Sequence, residues 1–139
     1  MTVKVHENSR KIFGLERWTN KEPTYLVEGP IDSLFLPNSL AMAGADMSDL
    51  SFLNKINTTL IFDNEPRNDH ISKRMVDALE KGWRIVVWQD QGNKWDSRAP
   101  KDINDMVISG KTTDEILKII NKNTYSGQRG KWEVTYWKV

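Results

Sequence analysis

The sequence predicts an α/β protein, a mostly parallel sheet flanked by helices on both faces. Three observations carry that expectation. Apolar runs of strand length recur at Tyr25-Leu26-Val27, Thr59-Leu60-Ile61-Phe62 and Arg84-Ile85-Val86-Val87-Trp88, and such runs read as strands buried on both faces. Segments with helical spacing alternate with them, clearest at Ile71, Met75 and Leu79. Repeated alternation of strand and helix is the pattern of a parallel sheet with covered faces.

Taken in order, residues 1–23 are polar and end in the turn-rich Asn20-Lys21-Glu22-Pro23. They are expected to form a lead-in segment packing on the core, with residues 24–139 as the main body of one compact domain. The first strand spans about residues 24–27. Gly29-Pro30 then starts a short helix, Pro30 suiting a first helical position, with Ile31, Leu34 and Phe35 expected on one face. Pro37-Asn38 stops it. A brief strand over residues 40–43 runs into a turn at Gly44, and Ser48 can cap a helical turn carrying Leu50 and Leu53.

The strand at residues 59–62 leads into a helix over residues 69–81 that Gly82 ends. Residues 84–88 form the next strand, and residues 89–100 a polar loop long enough to be functional. Ile103, Met106 and Val107 outline a short helix closed by Gly110. Thr112 and Glu115 have capping-box spacing before Ile116, Ile119 and Ile120. Residues 132–137, Trp-Glu-Val-Thr-Tyr-Trp, alternate and predict a C-terminal edge strand.

Composition narrows the function. With 139 residues and 38% hydrophobic content the chain suits one core. Its 20 basic and 19 acidic residues nearly cancel, so a polyanion contact must be local. The absence of cysteine removes disulfides, zinc–thiolate sites and thiol nucleophiles, and two histidines alone make no zinc cage. No apolar run approaches the ~20 residues needed to cross a bilayer and the start lacks a signal-peptide core. A soluble, cytoplasmic protein with no membrane partner is expected.

Five carboxylates fall in three short segments: Glu28 and Asp32, Asp63 and Glu65, and Asp102. The first two segments follow strands, and parallel strands bring their carboxyl ends to one edge. Glu28 and Asp32 are four apart, and both can face one site if the turn enters a helix. Asp63 and Glu65 are two apart, and an extended stretch would project both to one side. Each pair alone is also common on solvated surfaces. Oxygen ligands without cysteine favour Mg²⁺ or Mn²⁺, and a pair of such ions serves phosphoryl transfer.

These segments resemble the Toprim domain, the Rossmann-like, metal-dependent catalytic fold of bacterial-type and phage primases, topoisomerases and some nucleases. Its first motif, an apolar strand followed by Glu-Gly and an acidic residue, is matched by Leu26-Val27-Glu28-Gly29-Pro30-Ile31-Asp32; its Asp-x-Asp motif by Asp63-Asn64-Glu65, with Glu in the last place. Leu40-Ala41-Met42-Ala43-Gly44 fits the small strand and turn between the motifs. Within that superfamily, Arg10-Lys11-Ile12-Phe13-Gly14-Leu15 and Lys101-Asp102-Ile103-Asn104-Asp105 resemble primase segments, with closest likeness to primases of large tailed phages.

The resemblance implies a Toprim catalytic domain over residues 24–139 that makes short RNA primers on single-stranded DNA from nucleoside triphosphates. It implies Glu28 as the acid/base or metal-organising carboxylate, and Glu28, Asp32, Asp63, Glu65, Asp102 and Asn104 as the metal set for two or more Mg²⁺ or Mn²⁺ ions. Asn104 stands where the pattern often has a second Asp; neighbouring Asp105 is either its substitute or a solvated helix residue. Arg10, Lys11, Arg67 and Lys101 are candidates for nucleotide phosphates, each also readable as a surface cation. Trp95, with Lys94 and Arg98, is the best candidate for base stacking, whereas Trp88 suits the core and Trp83 and Trp132 the sheet edges. Implied partners are a replicative helicase and a zinc-binding primase module; neither that module nor a basic N-terminal subdomain is seen here. A Toprim-class nuclease and a non-catalytic Toprim scaffold are the alternative functions.

Overall fold

The computed structural model describes residues 12–43, 47–88 and 100–138. Five strands, β1 (Thr24–Val27), β2 (Ser39–Ala41), β3 (Thr58–Ile61), β4 (Arg84–Val86) and β5 (Thr124–Tyr125), form one sheet in the order β2-β1-β3-β4-β5. Strands β1 to β4 run parallel, and β5 pairs antiparallel with β4 at the edge. The helices are α1 (Pro30–Ser33), α2 (Asp69–Glu80), α3 (Ile103–Ile108), α4 (Thr113–Lys122) and α5 (Gly127–Lys138).

The strand sequences read as continuous apolar runs because both sheet faces are covered. Leu26 pairs with Leu40 on one side and Leu60 on the other, and Leu60 with Ile85. This row packs beneath α2 and α5, against Met75, Leu79, Val134 and Trp137. One residue along each strand, Val27, Ala41, Ile61 and Val86 point to the other face, where α3 and α4 supply Ile103, Met106, Ile116 and Ile120. The expected α/β class is therefore observed.

Local signals set the helix ends. The Asn68 side chain accepts from the His70 and Ile71 N–H groups at the start of α2, and Gly82, at φ 92°, lies just beyond its end. Thr112 and Glu115 form the reciprocal capping box of α4. Before the sheet, Phe13 exchanges backbone hydrogen bonds with Ala41 (2.9 and 3.0 Å), which seats Ile12 in the α2–α5 core.

Three expectations are corrected. Residues 132–137 are not an edge strand but part of α5, and the edge position belongs to β5. Gly130, Val134 and Trp137 fall on one helical face and are buried. At Gly130 a Cβ would stand 2.5 Å from Leu79 Cδ2, so the missing side chain lets α5 settle onto α2. Tryptophan, valine, threonine and tyrosine favour strands intrinsically, and packing on α2 overrides that preference. In α1, Ile31 and Leu34 are exposed while Asp32 and Ser33 are buried: a one-turn helix is too short for an apolar stripe. Trp83 is 3% exposed and belongs to the core, while Trp132 is 60% exposed. Gly44, the loop from residue 89 to 99 with Lys94, Trp95 and Arg98, and the Ser48 cap lie outside the described residues and side chains. None of the described helices is long and apolar enough to cross a membrane.

Candidate metal centre

Strand order reverses between β1 and β3, since β2 lies to one side of β1 while β3 and β4 lie to the other. At such a switch point the connecting loops diverge and leave a crevice at the carboxyl ends of the strands. Glu28 follows β1 there, and Asp63 follows β3. Asp32 comes from α1, whose start at Gly29-Pro30 turns the chain immediately after Glu28. Asp102 arrives at the start of α3. Ligand oxygens of Asp32, Asp63 and Asp102 all lie within 4.8 Å of one another.

Backbone N–H groups hold the carboxylates of Asp32 and Asp102, and the Glu28 side chain holds the peptide of Asp63. Asp32 Oδ1 accepts from the Asn104 N–H at 2.8 Å, which ties α1 to the first turn of α3. Asp102 caps α3 by accepting from the Asp105 N–H at 2.8 Å, and Asp105 Oδ2 in turn accepts from the Lys101 N–H at 3.1 Å. Asp63 donates its own N–H to Glu28 Oε2 at 3.1 Å. The Asn64 N–H donates to the Lys101 carbonyl at 2.5 Å, joining the loop after β3 to the loop before α3.

The electrostatics are those of a crowded anionic site. Burial raises Asp63 from 3.8 to about 7, and the neighbouring Glu28, Asp102, Asp32 and Glu65 push the same way. Burial also raises Asp32 to about 6, opposed by the Asn104 N–H and assisted by Asp102, Asp105 and Glu28. An all-oxygen set whose own members disfavour ionisation together is chemically suited to a hard divalent cation, which removes the repulsion and suits carboxylate donors.

The remaining site residues are placed differently. Glu28 borders the three-carboxylate group without belonging to it: its Oε1 forms an ion pair with Arg74 Nη1 at 2.5 Å and its Oε2 accepts the Asp63 N–H. Glu65 is not in that group either: its N–H bonds the Asp63 carbonyl at 2.9 Å, so residues 63–65 turn instead of extending. Asn104 acts on Asp32 through its backbone. Lys101 and Arg67 are exposed at the ends of the two joined loops, and Arg10 and Lys11 lie outside the described residues.

Sequence reasoning missed Arg74. Besides Glu28, its guanidinium lies over the Phe62 ring at 5.3 Å and reaches Met42 Sδ at 3.7 Å. A cation beside the apolar stripe Ile71-Met75-Leu79, on the helix that follows Asp63 and Glu65, was the available signal. Two indoles brace the same loop: Trp88 Nε1 donates to the Phe62 carbonyl and Trp137 Nε1 to Asn64 Oδ1. The core role expected for Trp88 is therefore observed.

No family model matches the chain. A DNA primase of Enterobacteria phage T4 is 33% identical to it over 137 residues, 97% of this chain. The chain spans 38% of that relative's length.

Proposed function

We propose, from the premise that this chain is a primase-related domain, that it is the catalytic Toprim core of a primase, with residues 24–139 as the catalytic body and residues 1–23 as its lead-in. The observation that supports this most is the convergence of Asp32, Asp63 and Asp102 at the switch point of the sheet. These three would hold Mg²⁺ or Mn²⁺. Such an ion, when bound, supplies Lewis-acid activation of a hydroxyl and neutralises charge on a phosphate.

The chain's own residues supply the rest. The Asn104 N–H fixes Asp32, and helix capping fixes Asp102. Glu28, held by Arg74, anchors the Asp63 peptide, so we assign it the organising role in preference to proton transfer. Glu65 and Asn104 border the centre and are assigned to a second ion or its water ligands. Lys101 and Arg67, with Arg10 and Lys11, are assigned to triphosphate and template phosphates, because guanidinium and ammonium groups pair well with phosphate oxygens. Nucleoside triphosphates and single-stranded DNA are then the substrates. A helicase and a zinc-binding module are the partners, and the host cytoplasm is the place of action.

The isolated domain is expected to synthesise little, so the test is incorporation of labelled nucleotide on single-stranded DNA with millimolar Mg²⁺ or Mn²⁺, with the zinc-binding module and N-terminal subdomain restored, for the native sequence and its Asp63→Asn and Asp102→Asn variants. Primer products abolished in both variants are expected. Shortening of labelled DNA in place of primer products would replace synthesis by hydrolysis. Activity unchanged in both variants would overturn the assignment of the centre.

A further inference from the structure

At the edge of the sheet opposite the carboxylates, a cavity of about 550 Å³ opens beneath the amino ends of β1, β3 and β4. Its wall follows from strand register. Tyr25 pairs with Thr59, and Thr59 with Arg84, so three polar side chains stand in a row across adjacent parallel strands. They share a face with Val27, Ile61 and Val86, two residues further along each strand, as the period of a strand requires. Asn121 at the end of α4, with Thr124 of β5 and Ser126, completes the polar rim.

Two properties set this cavity apart. Arg84 Nε is buried without a hydrogen-bond partner. A desolvated guanidinium N–H is costly to leave unsatisfied, and an anion is its natural acceptor. Among the described residues no carboxylate lines the cavity. Thr59, the register partner of Arg84, adds a hydroxyl to the same face, with Tyr25 one strand beyond it. The volume lies in the range of small-molecule sites and far exceeds one phosphate group, and Tyr25, on the same sheet face as Thr59 and Arg84, offers aromatic surface for a planar ring.

We infer that this cavity is a second, metal-independent binding site for a free nucleotide, with its phosphate on Arg84 and Thr59 and its base against the Tyr25 ring. The inference stands on the cavity alone and does not require the proposed chemistry at the carboxylates. Occupation at this edge would let nucleotide supply be sensed on the opposite side of the sheet from the metal centre.

The experiment is an amide NMR titration of the whole chain with ATP, inorganic phosphate and a short single-stranded oligonucleotide, in EDTA so that no cation bridges ligand to the carboxylates. Saturable shifts at Thr59, Asn121 and Thr124 with ATP, at least about tenfold tighter than with phosphate, are expected. They should vanish in Arg84→Gln, weaken in Thr59→Val and persist in Asp63→Asn. Thermal unfolding confirms that each variant folds. Phosphate binding as tightly as ATP, oligonucleotide binding more tightly at these residues, or an unaltered titration in Arg84→Gln would each overturn the inference.

Discussion

Replacing Asp63 by Asn should stabilise the chain when divalent cations are absent. The Asp63 carboxyl is displaced from 3.8 to about 7, equivalent at ~1.4 kcal/mol per pH unit to an upper bound of about 4.5 kcal/mol, which solvent screening of a part-exposed carboxyl reduces. Its folded pKa lies above the unfolded one, so the folded state holds its proton to higher pH. The penalty is absent below pH 3.8, grows between 3.8 and 7 and is complete above 7. Asp32 adds a second penalty that develops between 3.8 and about 6. The two are coupled through shared repulsion and do not add, and an amide must still be desolvated. A net gain of about 2 kcal/mol for Asp63→Asn at pH 8 remains.

Urea unfolding followed by tryptophan fluorescence, in EDTA at pH 5, 6, 7 and 8, measures this directly. Trp88 and Trp137 are buried and report on the fold. With a urea dependence of about 1.5 kcal/mol/M for a domain of this size, the midpoint of the variant should exceed that of the parent by about 1 M at pH 8. The gap should shrink towards pH 5 as the parent carboxyl protonates. Equal midpoints at pH 8, a less stable variant, or a gap that does not change with pH would refute the assignment of strain to the ionised cluster.

Added Mn²⁺ should reverse that order, because a cation that binds only the folded state stabilises in proportion to its occupancy; a Tm titration of both chains at pH 8 reads the crossing. Arg74→Gln should cost about 2 kcal/mol, since it strands a half-buried Glu28 beside three other carboxylates, and Arg74→Lys should recover part of it in the same urea assay. Gly130→Ala should cost about 1–3 kcal/mol by forcing Leu79 from its place between α2 and α5; unchanged stability would mean that the helices can separate cheaply.

The legible parts of this fold share a physical origin. Leu26, Leu60, Ile85 and their strand neighbours are buried on both faces, so the apolar run alone announces each parallel strand. Thr112 with Glu115, Asn68 and Gly82 mark helix ends through local chemistry that needs no distant partner. Residues 132–137 misled because the alternating set Trp132, Val134 and Tyr136 and the buried helical face Gly130, Val134 and Trp137 meet at Val134, and only the approach of α5 to α2 chooses between them. Glu28 and Asp63 were visible because each follows a strand directly. Arg74 and the Asn104 N–H were not, since the bonds that give them a role cross 46 and 72 residues. Such pairings depend on the fold that brings the segments together, not on local spacing.

The central claim is that Asp32, Asp63 and Asp102 form one cation site. Paramagnetic broadening of amide NMR signals by substoichiometric Mn²⁺ tests it most directly, comparing the chain with its Asp63→Asn, Asp102→Asn double variant. The account predicts broadening centred on residues 28–32, 63–65 and 102–105, abolished in the variant while the fold is retained. Broadening elsewhere, or the same pattern in the variant, would contradict it.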